Sequence, residues 1–416
     1  MKKFTREEKS WIFYDWANSA FSAIVAAIIL PIFFKEMAVS GGVSDVDATA
    51  YWGYATSCGT LICAVLAPFL GTLGDFRGMK KKLFTIFMLL GVASTFLLSL
   101  AGSWQLLLLL YIVGTLGFNG SCIYYDSFLL DVTDESRMDQ VSATGYGLGY
   151  IGGSTIPLVI SLLLIQFGDR IGIATIPATR FSFALTAVWW LVFTFPMLKN
   201  VHQTHSIEPE AHILSQSLRS MASTCKKILR NKSLFFFLIA YFFYIDGVGT
   251  IIHMATVFGA SCGLGSMDMM VILLVVQIVA FPFAIIYGKL AGRFGSRKMI
   301  LFGIATYIVV CAVGYNLQKM SDFLMLAVLV GTAQGGIQAL SRSFYGKLVP
   351  AESASEYFGF FDVFGKFSAV IGPALFGITA QLTGVTNYGA LAVMGMFILG
   401  GAILVFLVPK NVERAE

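Results

Sequence analysis

Three polar side chains lie inside an apolar stretch of the sequence at residues 233–260. Asp246, Thr250 and His253 are spaced by four and three residues, so they would lie on one face of a helix. A charged group in the bilayer costs about 2.5 to 3.5 kcal/mol on insertion scales, so it usually faces a cavity or an ionic partner. We interpret Asp246 as a carboxylate that binds a substrate amine or exchanges a proton, with a structural ion pair as the alternative. His253 is more consistent with a packed, hydrogen-bonded side chain.

A polar stripe runs through a second apolar stretch, residues 321–346. Gln334, Gln338 and Arg342 recur every four residues and would share one helix face. The planar guanidinium of Arg342 is a donor that suits a carboxylate. That carboxylate could belong to a bound substrate or to Asp126, and the sequence leaves both open.

Two further groups of polar residues indicate binding and gating positions. In residues 11–36, Asn18 lies deep enough to contact a ligand, whereas Asp15 lies nearer the end and is interpreted as a gate. Asp362 and Lys366 are four residues apart, so they can neutralise each other, and we assign this pair to the gate as well. The candidate substrate-binding residues are Asn18, Asp126, Asp246, Gln277, Gln334, Gln338 and Arg342, and the candidate coupling residues are Asp126 and Asp246.

The elements that must position these side chains are membrane-spanning helices. Hydrophobic residues make up 57% of the chain and charged residues 12%, against roughly 25% charged residues in soluble proteins. Stretches of about 20 apolar residues, long enough to cross a bilayer, occur at 11–36, 51–73, 82–102, 104–130, 142–167, 177–198, 233–260, 268–291, 298–317, 321–346, 357–382 and 385–408. We predict an all-α membrane protein with twelve transmembrane helices.

The basic residues predict the orientation of these helices. Most Lys and Arg residues lie at the N-terminus, at 74–82, in the central loop 199–232, at 288–298 and at the C-terminus, which alternate helices bring to one side. By the positive-inside rule, both termini and the central loop are expected in the cytoplasm. The net charge of +5 is thus explained by topology and does not indicate nucleic acid as a partner.

A glycine-rich, basic hinge at residues 71–83 has a second copy at 288–298. The two copies are offset by 217 residues, and the same offset aligns Glu135 and Ser136 with Glu352 and Ser353. A repeat at half the chain length predicts two similar halves. We therefore expect six-helix bundles at 1–198 and 233–416, joined by a linker at 199–232.

The central loop contains apolar residues at helical spacing between positions 211 and 231, with basic residues among them. This pattern predicts an amphipathic helix on the membrane surface whose cations meet lipid headgroups. His202, His205 and His212 lie nearby, but their spacing matches no strong metal-ligand pattern, so we interpret them as part of a solvated linker.

The first hinge resembles the signature loop of the major facilitator superfamily. Gly71, Leu73, Asp75 and Gly78 match that signature, although Phe76 precedes the basic residue Arg77. The resemblance implies that Asp75 faces the positive N-terminal end of the eleventh span, near Tyr357, and latches the halves together. Gly292 replaces the aspartate in the second hinge, so the gates are expected to differ. The gating candidates are Asp15, Gly71, Gly74, Asp75, Arg77, Gly78, Asp362 and Lys366.

Two stretches narrow the resemblance to the Atg22-like branch of this superfamily, also described as UMF1-type permeases. They are residues 11–21 (WIFYDWANSAF) and 334–343 (QGGIQALSRS). The branch's eukaryotic members are associated with amino-acid efflux from the vacuole. The resemblance therefore implies a monomeric secondary transporter in a bacterial cytoplasmic membrane, with an amino acid or another small zwitterion as substrate.

Other functions remain open at the level of sequence. A multidrug or lipid exporter would bind its substrate through aromatic and methionine residues, and a sensor or scaffold would use the central loop. No cofactor loop, metal pattern or Ser/His/Asp set indicates an enzyme, and no nucleotide-binding loop is present. Energy would then come from a proton or solute gradient.

Overall fold

The structure is a computed structural model that describes residues 3–209, 213–261, 266–315, 320–385 and 387–409. Twelve helices in these ranges are long and apolar enough to cross a membrane, which confirms the predicted fold class. The first six are α1 (Arg6–Ser40), α2 (Asp45–Asp75), α3 (Met79–Leu98), α4 (Trp104–Val132), α5 (Glu135–Ile171) and α6 (Thr175–Asn200). The last six are α7 (Lys232–Ser261), α8 (Ser266–Phe294), α9 (Ser296–Tyr315), α10 (Met320–Leu348), α11 (Ala354–Thr383) and α12 (Tyr388–Phe406). A further helix, Ile213–Arg230, joins α6 to α7 and is called the connecting helix.

Several helices begin earlier than their apolar stretches predict. Helix α1 starts at Arg6 because Thr5 and Glu8 form a reciprocal capping box, with distances of 3.1 and 2.8 Å. Helix α2 starts at Asp45, where the Ser44 hydroxyl accepts a hydrogen bond from the Asp47 amide. Apolar windows miss these polar first turns because they extend beyond the hydrocarbon region.

Helices α1 and α5 each contain a widened, π-helical segment, at Phe21–Ile28 and Gly149–Thr155. The two helices pack closely here, because a Cβ atom at Gly153 would lie 2.6 Å from the Trp16 carbonyl oxygen. Segments of this type often occur at functional sites. Both segments supply residues to the cavity described below.

One end of the bundle carries residues 76–78, 133–134, 201–209, 295 and 349–353, and we call it the hinge end. Both described ends of the chain lie there, because Arg137 donates to the Lys3 carbonyl (3.3 Å) and Arg297 donates to the Pro409 carbonyl (3.0 Å). The two termini therefore share a side. The cytoplasmic assignment of that side stays a prediction.

The first six helices contact the last six along two seams. Helix α2 packs against α11, and α5 packs against α8 and α10. The first seam is close because glycines face backbone across it: a Cβ atom at Gly71 would overlap the Ser355 carbonyl, and one at Gly359 would overlap the Ala67 carbonyl. The seams enclose the central cavity.

Candidate functional site

A cavity of about 510 Å³ lies between the first six and the last six helices. Its wall is formed by α1, α4 and α5 on one side and by α7, α8, α10 and α11 on the other. A solute in this cavity would contact both groups of helices. The amide and charged side chains that line it are Asp15, Asn18, Asn119, Asp126, Gln277, Gln334, Gln338, Arg342, Asp362 and Lys366.

Arg342 is held by two aspartates from the other group of helices. Its guanidinium donates to Asp126 at 2.9 Å and to Asp15 at 3.1 Å, and its Nε donates to the Ser142 hydroxyl at 2.9 Å. The Arg342 side chain is only 3% exposed. The sequence leaves two partners open for Arg342, a substrate carboxylate or Asp126, and in the structure Arg342 pairs with Asp126. Asp15 joins the same cluster.

Three aromatic rings surround the Arg342 guanidinium. Its central carbon lies 4.5 Å from the ring centre of Tyr146, 4.6 Å from that of Trp11 and 5.2 Å from that of Tyr125. The negative faces of such rings attract a cation, most strongly where water is excluded. The rings and the two carboxylates together offset the loss of hydration at Arg342.

Asp362 and Lys366 form an ion pair on one face of α11, as their spacing predicts. Both side chains line the cavity, with 23% of the Asp362 side chain and 11% of the Lys366 side chain exposed. Unlike Arg342, this pair has both charges on one helix and keeps exposed surface in the cavity. It therefore offers a solute an anionic and a cationic group a few ångströms apart.

The charged groups of the cavity wall do not balance. Three carboxylates, Asp15, Asp126 and Asp362, face two cations, Arg342 and Lys366. With every group ionised, the described wall carries one excess negative charge. A bound cation or a proton would neutralise it.

Asp246 does not line this cavity, contrary to the sequence-based interpretation. Its side chain is fully buried, and its carboxylate accepts hydrogen bonds from the Gly372 amide (2.8 Å) and the Thr250 hydroxyl (3.4 Å). Gly372 directly precedes Pro373, which interrupts the hydrogen bonding of α11. Asp246 thus joins α7 to the middle of α11. The side chain of His253 lies outside the described residues.

The predicted amide residues lie on the cavity wall. Tyr150 links two of them, because its hydroxyl donates to Gln338 (3.3 Å) and accepts from Gln334 (3.4 Å). Asn18 donates to the Cys122 sulfur at 3.6 Å. The side-chain oxygens of Gln277 and Gln334 are buried and accept no hydrogen bond from a described residue. Among the described residues, each therefore lacks the partner that a buried acceptor usually has.

An apolar side pocket of about 120 Å³ adjoins the central cavity within the last six helices. Most of its wall is aliphatic or aromatic, with Met269, Val276 and Phe376 among the lining residues. Gln277 and Gln334 line both spaces. An apolar group could therefore enter the pocket while a polar group stays in the cavity.

The first hinge brings Asp75 to the start of α11, where the resemblance placed it. The buried carboxylate accepts the Ser355 amide at 2.8 Å and the Glu356 amide at 2.9 Å. These are free N–H groups of the first helical turn, which attract negative charge. Gly78 directly precedes α3 and has a φ of +72°, a conformation that favours glycine.

The other hinge candidates lie in different surroundings. A Cβ atom at Gly74 would lie 3.2 Å from the Ser355 Cβ, so this glycine also permits the contact with α11. Arg77, by contrast, is 74% exposed and pairs with Glu208 of the linker at 3.0 Å. It therefore contacts the linker and does not reach across the α2–α11 seam.

The second hinge is closed by a carboxylate that sequence reasoning missed. Asp139, at the start of α5, accepts hydrogen bonds from Ser296 (2.8 Å), Ser343 (2.6 Å) and Lys347 (2.6 Å) of the last six helices. The sequence contained an indication of this residue, because the repeat offset of 217 residues aligns Asp139 with a second carboxylate, Glu356. The two hinge regions therefore both use an aspartate, but on different helices.

The linker after α6 is bound to the first hinge, although the sequence suggested that it is solvated. Asp131 accepts hydrogen bonds from Lys80 (2.8 Å), from the Thr204 amide (2.8 Å) and from the His205 amide (3.0 Å). The His205 ring also bonds to Asp131, and this hydrogen bond raises the histidine pKa above its usual value. Ile207 pairs with the backbone at Asp75 and Arg77. His212 lies outside the described residues.

Comparisons with known proteins agree with this architecture. A model of the family described as "Vacuole effluxer Atg22 like" matches residues 4–134 and 131–416. The MFS-type transporter YxiO of Bacillus subtilis is 49% identical over 98% of this chain and 96% of its own. The Autophagy-related protein 22 of Botryotinia fuckeliana is 25% identical over 64% of this chain, and the match spans only 49% of that protein.

Solved structures resemble the fold along nearly the whole chain. The proton:xylose symporter XylE has a TM-score of 0.73 at 12% identity, covering 99% of this chain and 97% of its own. The transporter FucP, in an outward conformation, has a TM-score of 0.72 at 14% identity, covering 97% and 99%. At these identities the likeness concerns the fold alone.

Proposed function

Because this chain belongs to the Atg22-like family of major facilitator superfamily transporters, we propose that it moves a small zwitterionic solute through the central cavity by alternating access. The observation that carries this proposal is the Asp362–Lys366 pair, which offers the cavity both signs of charge. An amino acid is the substrate class that best fits these groups and the family.

In this proposal Asp362 binds the amine of the solute and Lys366 binds its carboxylate. The unpartnered side-chain oxygens of Gln277 and Gln334 accept further hydrogen bonds from the amine. The adjoining pocket takes the apolar side chain of the solute. This assignment replaces the pair inferred from sequence, since Asp246 is buried elsewhere and the Arg342 side chain is only 3% exposed.

Coupling to a proton gradient is proposed for the cluster of Asp15, Asp126 and Arg342. One guanidinium faces two carboxylates, so a proton on either aspartate leaves a balanced pair. Asp126 is the better candidate because 25% of its side chain is exposed, against 11% for Asp15. A protonated Asp126 would loosen its bond to Arg342 and hence the contact between α4 and α10.

The hinge end is proposed to face the cytoplasm, following the distribution of Lys and Arg. The contacts of Asp75, Asp139 and Arg342 join the two groups of helices at or near that end. The described conformation is therefore closed toward the cytoplasm. Transport would require these contacts to break while the opposite end closes.

The test is uptake by proteoliposomes from a panel of amino acids and organic acids, with and without a proton gradient. Asp362→Asn and Lys366→Gln should each raise the KM for zwitterions at least about tenfold, since each removes a charge-assisted hydrogen bond. Asp126→Asn should abolish the response to the gradient, whereas Asp246→Asn should retain it. Absence of uptake, exchange or binding across the panel would refute the proposal for amino acids.

An exporter of apolar molecules is the second candidate, and the side pocket favours it. Such a substrate would occupy the pocket without using the charges of Asp362 and Lys366. Export would then survive Asp362→Asn but fall on Val276→Trp, which fills the pocket. Loss of transport on Asp362→Asn would favour the zwitterion, whose apolar side chain uses the same pocket.

A further inference from the structure

The connecting helix divides its surface into three stripes. Because a helix rotates by about 100° per residue, one face carries Ser217, Met221, Thr224 and Ile228. On this face Ser217, Thr224 and Ile228 are buried. Among the side chains that the structure describes, the apolar residues Leu218, Ala222, Cys225 and Leu229 turn away from the protein. Sequence reasoning had grouped all apolar residues of this helix together, whereas the structure separates those that pack from those that remain exposed.

The second stripe is apolar and exposed. Leu218, Ala222, Cys225 and Leu229 follow one another at intervals of four, three and four residues, which places them along one line of the helix. Leu218 is 55% exposed and Leu229 is 61% exposed. Exposed leucines at this spacing form a continuous strip.

The third stripe is basic and lies beside the apolar one. Arg219, Ser223, Lys226 and Arg230 repeat the same spacing one residue later, and all four are exposed. The helix contains no acidic residue. An apolar strip bordered by a basic strip is the arrangement of a helix that lies in a membrane interface.

The position of the helix relative to the bilayer supports this interpretation. Asn231 ends the connecting helix, where its amide donates to the Lys227 carbonyl at 2.9 Å. Its side chain then caps the membrane-spanning helix α7, accepting the Leu234 amide at 3.0 Å. The C-terminal turn of the connecting helix is therefore held at the level where α7 enters the membrane.

We propose that the exposed face of the connecting helix binds anionic lipid headgroups at the hinge end. The cations of the basic stripe contact the headgroups, and the leucines of the apolar stripe enter the boundary with the acyl chains. Complementary charge selects an anionic over a zwitterionic lipid. On the opposite face, Ser220 donates to Glu356 at 2.7 Å, the residue whose amide binds Asp75. The lipid surface thus lies one helix away from the latch.

The probe is the rate at which a water-soluble maleimide labels Cys225 in nanodiscs. Cys58 and Cys262 are replaced by serine, and nanodiscs of phosphatidylcholine are compared with nanodiscs containing about 30% phosphatidylglycerol. Each cation near an anionic surface changes binding by roughly fivefold at low salt, so labelling should slow at least about tenfold in the anionic nanodiscs. About 0.5 M salt should reverse the effect in the same protein.

Two comparisons test the stripes themselves. Replacing Arg219, Lys226 and Arg230 by glutamine should remove the lipid dependence. The matched control replaces Lys289, Arg293 and Lys298, three exposed basic residues at the same end of the molecule, and should retain it.

Equal labelling of Cys225 in the two lipids would overturn the proposal and leave the exposed face to a protein partner. An equal loss in both triple variants would also overturn it, because general surface charge would then suffice. If a triple variant fails to fold, the reversal by salt in the protein that keeps its basic residues still decides the question. None of these outcomes depends on which solute is transported.

Discussion

Asp75→Asn should shift the conformational equilibrium away from the state that is closed at the hinge end. The aspartate accepts two amide N–H groups at the start of α11, at 2.8 and 2.9 Å. Asparagine has nearly the same volume but offers one acceptor oxygen, so its NH₂ group would face the second amide. The substitution therefore removes the charge and leaves one N–H without a partner.

The magnitude follows from these two contacts. Hydrogen bonds to a charged group contribute about 1.5 to 3 kcal/mol, against about 1 kcal/mol for a neutral one, and the charge at a helix start adds up to about 2 kcal/mol. We expect a net loss of about 2 to 3 kcal/mol from the closed state. That loss corresponds to roughly a 30- to 150-fold change in the ratio of closed to open protein.

The assay is a distance measurement between spin labels on the hinge-end loops of the two groups of helices. Wild type should show mainly the short distance and Asp75→Asn mainly the long one, with a changed transport rate. Arg77→Gln is the matched control, because this exposed residue pairs only with the linker. If Asp75→Asn left both the distance distribution and the transport rate as in wild type, the latch would be refuted.

Four further changes test separate parts of the structure. Asp139→Asn should weaken the contacts of α5 with the start of α9 and with α10, and the distance measurement should report a shift of the conformational equilibrium by about 1 to 3 kcal/mol. Gly71→Ala should widen the α2–α11 seam without changing any charge, because its Cβ would overlap the opposing backbone; unchanged label distances would contradict this. Asp246→Asn should lower the free energy of unfolding by about 1 to 2 kcal/mol, seen as a lower melting temperature, while proton-dependent uptake persists. The hydrogen bond to Asp131 raises the pKa of His205, so the charged histidine stabilises the fold fully below the unfolded histidine pKa of about 6.5, and this effect disappears as pH rises through the folded pKa. His205→Gln should therefore reduce thermal stability more at low pH than at high pH. An equal loss at both pH values would contradict the assignment.

The fold could be predicted from sequence because the length of each apolar stretch reports a membrane crossing directly. The contact of Asp75 was accessible for a similar reason, since its hinge carries a recognisable motif. The ends of the helices were less accessible. The first turns of α1 and α2 are polar and depend on caps at Thr5 and Ser44, which a hydrophobicity window does not register.

The partners of the charged residues could be predicted only in part. Spacing indicated the Asp362–Lys366 pair, because both residues lie on one helix. Arg342 is separated from Asp15 by 327 residues, so no local period connects them. The sequence-based interpretation of Asp246 depends on its depth in the membrane and on the helix face that it shares with Thr250 and His253. Depth does not determine which neighbour a side chain faces, and this one faces α11.

Among the described residues, the salt bridges between the two groups of helices have the same polarity. Asp15, Asp75, Asp126 and Asp139 belong to the first six helices, whereas their donors, which include Arg342 and Lys347, belong to the last six. The two hinges thus differ in which helix carries the aspartate but not in which group of helices does. Protonation of any of these four carboxylates weakens a contact between the two groups of helices, so protons at several sites would act in the same direction.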